Sequence, residues 1–164
     1  DFIFDIVKND NITLQDILNI HKLFYQNIDG ENAGQYRSKN VFISGMDVTL
    51  PDHSKVATLM SELEKEMLTL KDKLHPLELA ATIHNKFVTI HPFIDGNGRT
   101  ARLLMNLILL KNGYSITIIP PIYRAEYIAT AYQGNKGNNT PFINLLSSMV
   151  YESQKEMLKL LKNS

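Results

Sequence analysis

The stretch His91-Pro92-Phe93-Ile94-Asp95-Gly96-Asn97-Gly98-Arg99-Thr100-Ala101-Arg102 decides how this chain is read, because apolar helical spacing flanks it on both sides. Upstream, Leu77, Ala80, Ala81, Ile83, His84, Phe87 and Val88 recur at helical intervals up to Ile90, and His75-Pro76 places proline in the first turn of that helix. Downstream, the pattern predicts a strongly apolar helix from Arg99 to Asn112, closed by Gly113. Between them a glycine-bracketed turn runs into a helix N-terminus. Such an end aims unpaired backbone N–H groups and the positive pole of the helix dipole at one point. Gly96 and Gly98 let the backbone come close to whatever sits there. The expected ligand is an anion, phosphate oxygens above all.

Complementary groups surround this nest. Asp95 is a hard oxygen ligand suited to a magnesium ion shared with phosphates. Arg99 and Arg102 stand three apart, share a helix face and can clamp further phosphate oxygens. His91 precedes the nest, where a neutral imidazole can take a proton from an attacking hydroxyl. Each fragment alone is ordinary: a histidine before proline, an Asp-Gly-Asn-Gly turn, an Arg-x-x-Arg face. The ordered combination is what a plain turn does not explain. A Walker-type phosphate loop is excluded, since no Gly-x-x-x-x-Gly-Lys-Ser/Thr occurs.

Further out, Thr13 caps a first helix striped by Ile17, Leu18, Ile20, His21, Phe24 and Tyr25, which the Gly30–Gly34 region ends. The β-branched run from Asn40 to Leu50, around Ser44-Gly45, predicts a short hairpin closed by Pro51. Helical spacing resumes over Val56–Leu70; after an extended stretch to Pro120-Pro121, helices are expected over 123–133 and 141–162. The expectation is a single domain over 1–164, an all-α bundle with one small β-hairpin. His21 and His84 read as packed or capping, His53 and His75 as turn and helix-start residues, and the methionines as core.

The 164 residues include 44% hydrophobic positions, enough for one buried core. Seventeen basic residues balance seventeen acidic ones, so no global field draws the chain to nucleic acid or anionic lipid. No apolar run approaches the roughly 18 residues a membrane helix needs. The absence of cysteine removes disulfides and thiolate zinc sites and is compatible with a reducing compartment, the cytoplasm being the default expectation. Asp1-Phe-Ile-Phe-Asp5 lacks the features of a signal peptide and an initiator Met, which suggests a piece of a longer polypeptide.

At every defining position, residues 91–102 resemble the His-x-Phe-x-Asp/Glu-Gly-Asn-Gly-Arg-x-x-Arg signature of Fic-domain proteins. Gly34-Gln-Tyr-Arg37, the 41–50 segment, His75-Pro76-x-Glu78-x-Ala80-Ala81 and Pro141-Phe142 are similar to the same family. The resemblance implies protein adenylyltransfer from ATP with Mg2+. By it, His91 is the base, Asp95 the metal ligand, and Gly96, Asn97 and Gly98 the phosphate cradle. Arg99 supports the phosphates and Arg102 reaches the γ-phosphate. It further implies that the 41–50 hairpin is a flap and docking edge for a target protein, with Ile43, Ser44, Gly45 and Met46 beside the nucleotide. Tyr127 and Asn135 are implied at the adenine. Automodification is a further expectation, with tyrosines such as Tyr36 near the flap.

The family's inhibitory Ser/Thr-x-x-x-Glu-Gly/Asn helix has no convincing copy here. Ser148-Met-Val-Tyr-Glu152 has the spacing, but Ser153 replaces Gly/Asn and the apolar pattern is that of a core helix. A regulatory segment ahead of Asp1, or one from a partner chain, is expected instead. Rival readings are a Doc-like phosphotransferase, which Gly98 opposes because those relatives carry lysine there, a relative using another nucleotide, and a non-catalytic helical interaction domain.

Overall fold

The computed structural model describes residues 2–43 and 48–162, the side chains of residues 2–4 excepted. Among them are seven helices: α1 (Phe2–Lys8), α2 (Leu14–Tyr25), α3 (Val56–Leu70), α4 (Pro76–Ile90), α5 (Asn97–Lys111), α6 (Arg124–Asn135) and α7 (Thr140–Lys162). Helix α4 is the centre, packed against α3, α5, α6 and α7. Its sequence explains the position, since Leu79, Ala80, Ala81, Ile83, His84, Asn85, Phe87 and Ile90 bury more than one face. Its start is fixed by His75, whose Nδ1 accepts from the Leu77 N–H at 3.3 Å while Glu78 accepts from the His75 N–H.

Helix α5 returns along α4 through Ala101, Leu104, Met105, Ile108 and Leu109, all buried. Phe87 and Phe93 are completely buried with ring centroids 6.1 Å apart, so the 91–98 loop hangs from the core by an aromatic anchor. Truncating such a phenylalanine to alanine costs about 3–5 kcal/mol. Thr13 caps α2 as expected, in a capping box with Asp16.

Several expectations shift. Helix α1 was not legible: seven residues show little periodicity, and it docks through Ile6, buried in the core, and through Lys111 of α5, whose ammonium donates to the carbonyls of Ile6, Val7 and Asn9. Helix α5 begins at Asn97, two residues before the expected Arg99, because Gly96 (φ 80°, ψ 0°) serves as its N-cap. Residues 41–43 and 48–50 carry no strand. The turn between them, with Ser44, Gly45 and Met46, lies outside the described residues. An isolated two-stranded ribbon is marginal in water, and the backbone on either side bonds to a side chain, Arg37, instead. Ser148–Glu152 is ordinary core helix: Met149 and Val150 are buried, and Glu152 is exposed beside Lys155. No helix among the described residues is long and apolar enough to cross a membrane.

Candidate active site

Helix α4 ends at His91, which has φ 52° and ψ 59°. It is the one non-glycine among the described residues with positive φ. That conformation costs an L-residue roughly 1–2 kcal/mol and persists only where the surroundings over-determine it. Here they do. The His91 N–H donates to Phe87 O at 3.0 Å, its carbonyl accepts from Arg37 Nε at 2.8 Å, and Pro92 O accepts from the Arg37 N–H at 2.8 Å. The imidazole Nδ1 lies 3.2 Å from Val88 O. A carbonyl only accepts, so Nδ1 carries the proton and Nε2 keeps its lone pair. Burial pulls the His91 pKa below its ordinary value against the Val88 carbonyl, and the Arg37 charge adds to the fall. His91 is therefore a neutral base at neutral pH.

Asn97 closes the second half of the loop. Its Oδ1 accepts from the Phe93 N–H at 2.9 Å and its Nδ2 donates to Phe93 O at 2.8 Å, with the side chain 2% exposed. No side chain caps the α5 N-terminus, and its first closing bond is Thr100 N–H to Gly96 O at 3.0 Å. The N–H groups of the first turn thus remain for a ligand. Gly96 is required twice over: its φ is left-handed, and a Cβ would stand 3.1 Å from His21 Nε2 and from the Phe24 ring. A Cβ at Gly98 would stand 3.6 Å from Arg102 Nη1, an ordinary contact with the end of a flexible side chain.

Two buried residues hold the loop from outside. His21 accepts from the Gly34 N–H at Nδ1 (2.9 Å), donates from Nε2 to Asp95 O (3.1 Å) and stacks on Phe93 at 3.8 Å. Burial depresses its pKa, the Asp95 carbonyl notwithstanding. His21 is packed, as its helical face implied, but it also ties the loop to the Gly34 turn. Arg37, 3% exposed, donates to His91 O, to Lys39 O (3.2 Å) and to Pro51 O (2.6 Å). The 74- and 54-residue separations of these contacts left no local signal in the sequence.

Around the α5 N-terminus the structure gathers His91, Asp95, Gly96, Asn97, Gly98, Arg99 and Arg102. Arg99 lies 5.3 Å over the Phe24 ring and Arg102 5.6 Å over the Tyr127 ring. Asp95 exposes its side chain while His21 holds its carbonyl. No group of three or more His, Cys, Asp or Glu among the described residues could hold a metal alone. One exposed carboxylate beside an open helix N-terminus nevertheless fits Mg2+, which binds through one or two carboxylates plus substrate phosphates and keeps several waters. Asn135 stands further along α6, its Oδ1 2.6 Å from Thr89 Oγ1, on a recess of about 350 Å³ that Asn85, Ile90 and Asn139 also line. Ile43 is half-buried in the stretch that Arg37 anchors. The Tyr36 hydroxyl is buried without a hydrogen-bond partner, and burial pushes its pKa up to about 12. Tyr36 is thus a poor acceptor for automodification.

The site is thus an open helix N-terminus flanked by a histidine, a carboxylate and two arginines. This chain belongs to the Fic/DOC family, whose profile matches residues 11–109. It is 41% identical over 150 residues to a protein adenylyltransferase Fic of Nematostella vectensis, covering 87% of this chain and 33% of that protein. It is 34% identical over 161 residues to protein adenylyltransferase fic-1 of Caenorhabditis elegans, covering 96% and 31%. A Fic domain containing signaling protein from Bacteroides thetaiotaomicron superposes with a TM-score of 0.85 at 26% identity, over 99% of this chain and 69% of that one. The chain spans about three tenths of the length of the curated relatives it matches.

Proposed function

We propose that this chain transfers AMP from ATP to a Tyr, Thr or Ser hydroxyl of a target protein and releases pyrophosphate. The observation that carries this is the uncapped α5 N-terminus beside His91, whose Nδ1 is committed to Val88 and whose Nε2 is left to act as base. His91 Nε2 removes the proton of the target hydroxyl as its oxygen attacks the α-phosphorus in line. The bond to the bridging oxygen breaks and pyrophosphate carries that electron pair away. The first-turn N–H groups of Asn97 and Gly98, with Arg99 and Arg102, hold the phosphate oxygens, so catalysis is mainly positioning and charge neutralisation. Asp95 would hold Mg2+, which when bound neutralises phosphate charge.

The names of the curated relatives support the same reading. Gly98 favours AMP over phosphate transfer, because the Doc-like phosphotransferases carry lysine at that position. The 41–50 segment supplies the docking edge, where a target segment pairs through main-chain hydrogen bonds near Ile43–Met46. Phe42, 91% exposed, is an apolar contact for it. Asn135 serves the nucleobase end, whereas Tyr127, expected there too, has Arg102 over its ring. The test is incubation with α-labelled and γ-labelled ATP plus lysate, followed by mass analysis. Label from the α-phosphate with pyrophosphate in solution is expected. Protein labelled only from the γ-phosphate would mean the nucleotide lies the other way round.

A further inference from the structure

Resting on the nucleotide reading above, we propose that the Tyr127 hydroxyl is a positioning group that aims Arg102 at the terminal phosphate of a nucleoside triphosphate. It is one link in a one-way chain of hydrogen bonds running from Arg102 into the core. Arg102 Nη1 lies 3.5 Å from Tyr127 OH, and Tyr127 OH lies 2.8 Å from His84 Nε2. His84 Nδ1 is 3.1 Å from Asn85 Oδ1, Asn85 Nδ2 is 2.9 Å from Asn139 Oδ1, and Asn139 Nδ2 is 3.5 Å from Thr82 Oγ1.

Donor chemistry sets the direction. A guanidinium has no acceptor, so the Tyr127 oxygen accepts from Arg102. The phenolic proton then goes to His84 Nε2, the His84 proton sits on Nδ1 and goes to Asn85 Oδ1, and each amide passes its own N–H onward. In the reverse order His84 would also donate to Tyr127, and the phenolic proton would lose its partner. Complete burial holds His84 neutral, with its pKa down to about 4, so the imidazole has one lone pair to offer. The ring of His84 stacks on Phe142 at 4.5 Å and 17°, and Tyr127 lies 5.9 Å from the same phenylalanine, which fixes both links.

Gly134 is a second sign that the chain is built in. A Cβ there would collide with the Asn85 amide, so the backbone of α6 closes directly over the Asn85–Asn139 pair. A long arginine costs rotamer entropy to immobilise at a phosphate. Here the Tyr127 ring and hydroxyl hold it before the nucleotide arrives, and the core holds the tyrosine.

Tyr127→Phe keeps the ring and removes only the hydroxyl. With folding confirmed by thermal melting, calorimetry with Mg-ATP and Mg-ADP reads the effect. Loss of one such hydrogen bond predicts that ATP affinity falls about three- to tenfold while ADP affinity holds. Nitrogen-15 NMR of the unaltered protein should place the His84 proton on Nδ1, with the Nε2 signal moving in the variant. Equal losses for ATP and ADP, no loss for either, or a His84 proton on Nε2 would each overturn the proposal. If the unaltered protein shows no magnesium-dependent ATP affinity, the nucleotide reading itself falls and this proposal with it. If ATP binds normally and only the selective loss is missing, the relay alone is wrong.

Discussion

Arg37 fastens two stretches of backbone that are otherwise held in opposite ways. The loop 91–98 also receives the Asn97 clamp on Phe93, the His21 bond to Asp95 O and the His91 bond to Val88 O. The bonds of the described residues in the stretch 39–51 lie near its ends, where Arg37 donates to the carbonyls of Lys39 and Pro51 and Asn40 donates to Asp52. Between those ends Phe42 stands 91% exposed. A preformed loop spends no reorganisation when phosphate charge develops, which suits the reacting centre. In the other stretch the exposed Phe42 leaves apolar area to solvent, and the docking proposed above would use it.

The largest effect expected from this contrast is at the loop. His91→Ala should lower the transfer rate by ~10²–10⁴ while ATP affinity stays within a few-fold, because the imidazole meets the nucleophile and not the cradle. Single-turnover rates and calorimetric affinities check this, and turnover retained in the variant would break the assignment. Asn97→Ala strands the Phe93 N–H and C=O in the core, which predicts a loss of about 2–4 kcal/mol in urea unfolding and weaker ATP binding. An unchanged unfolding midpoint would show that the loop is not preformed by this clamp.

Acid should act on the loop and on the core behind it. His21, His84 and His91 all have pKa values depressed by burial, so the unfolded chain binds protons that the fold refuses. For His84 the stabilisation is complete above about pH 6.5 and is lost as pH falls toward 4, at about 1.4 kcal/mol per pH unit, and His21 and His91 add losses of the same sign below about pH 6.5. Melting temperature against pH reads it, and a flat profile between 6.5 and 4 would contradict the burial assignments. The acid limb of kcat/KM should lie below about pH 6.5, since His91 stays neutral further down than a free imidazole. The smallest effect belongs to the other stretch. Phe42→Ser should change stability by less than about 0.5 kcal/mol and leave Mg-ATP affinity alone, yet raise KM for the target protein. Equal KM values would remove Phe42 from the docking edge.

The helices around the site could be read directly. Regular apolar spacing over Val56–Leu70 and 76–90, the Thr13 cap and the His75-Pro76 start are local signals, and the structure follows them. The loop's ordered residue types also announced a glycine turn running into an open helix end, since both depend on neighbouring residues. What tertiary structure alone decided is everything that crosses the chain. His21 bonds across 74 residues, Arg37 across 54, and His84 meets Tyr127 across 43. The hairpin expected at 41–50 rested on local β-propensity, and no strand forms among its described residues. Local pattern reports what a segment prefers when its neighbours are sequence neighbours. Which tautomer His91 adopts, why its left-handed backbone persists and how Arg102 is aimed all depend on groups that only the packed helices bring within hydrogen-bond reach.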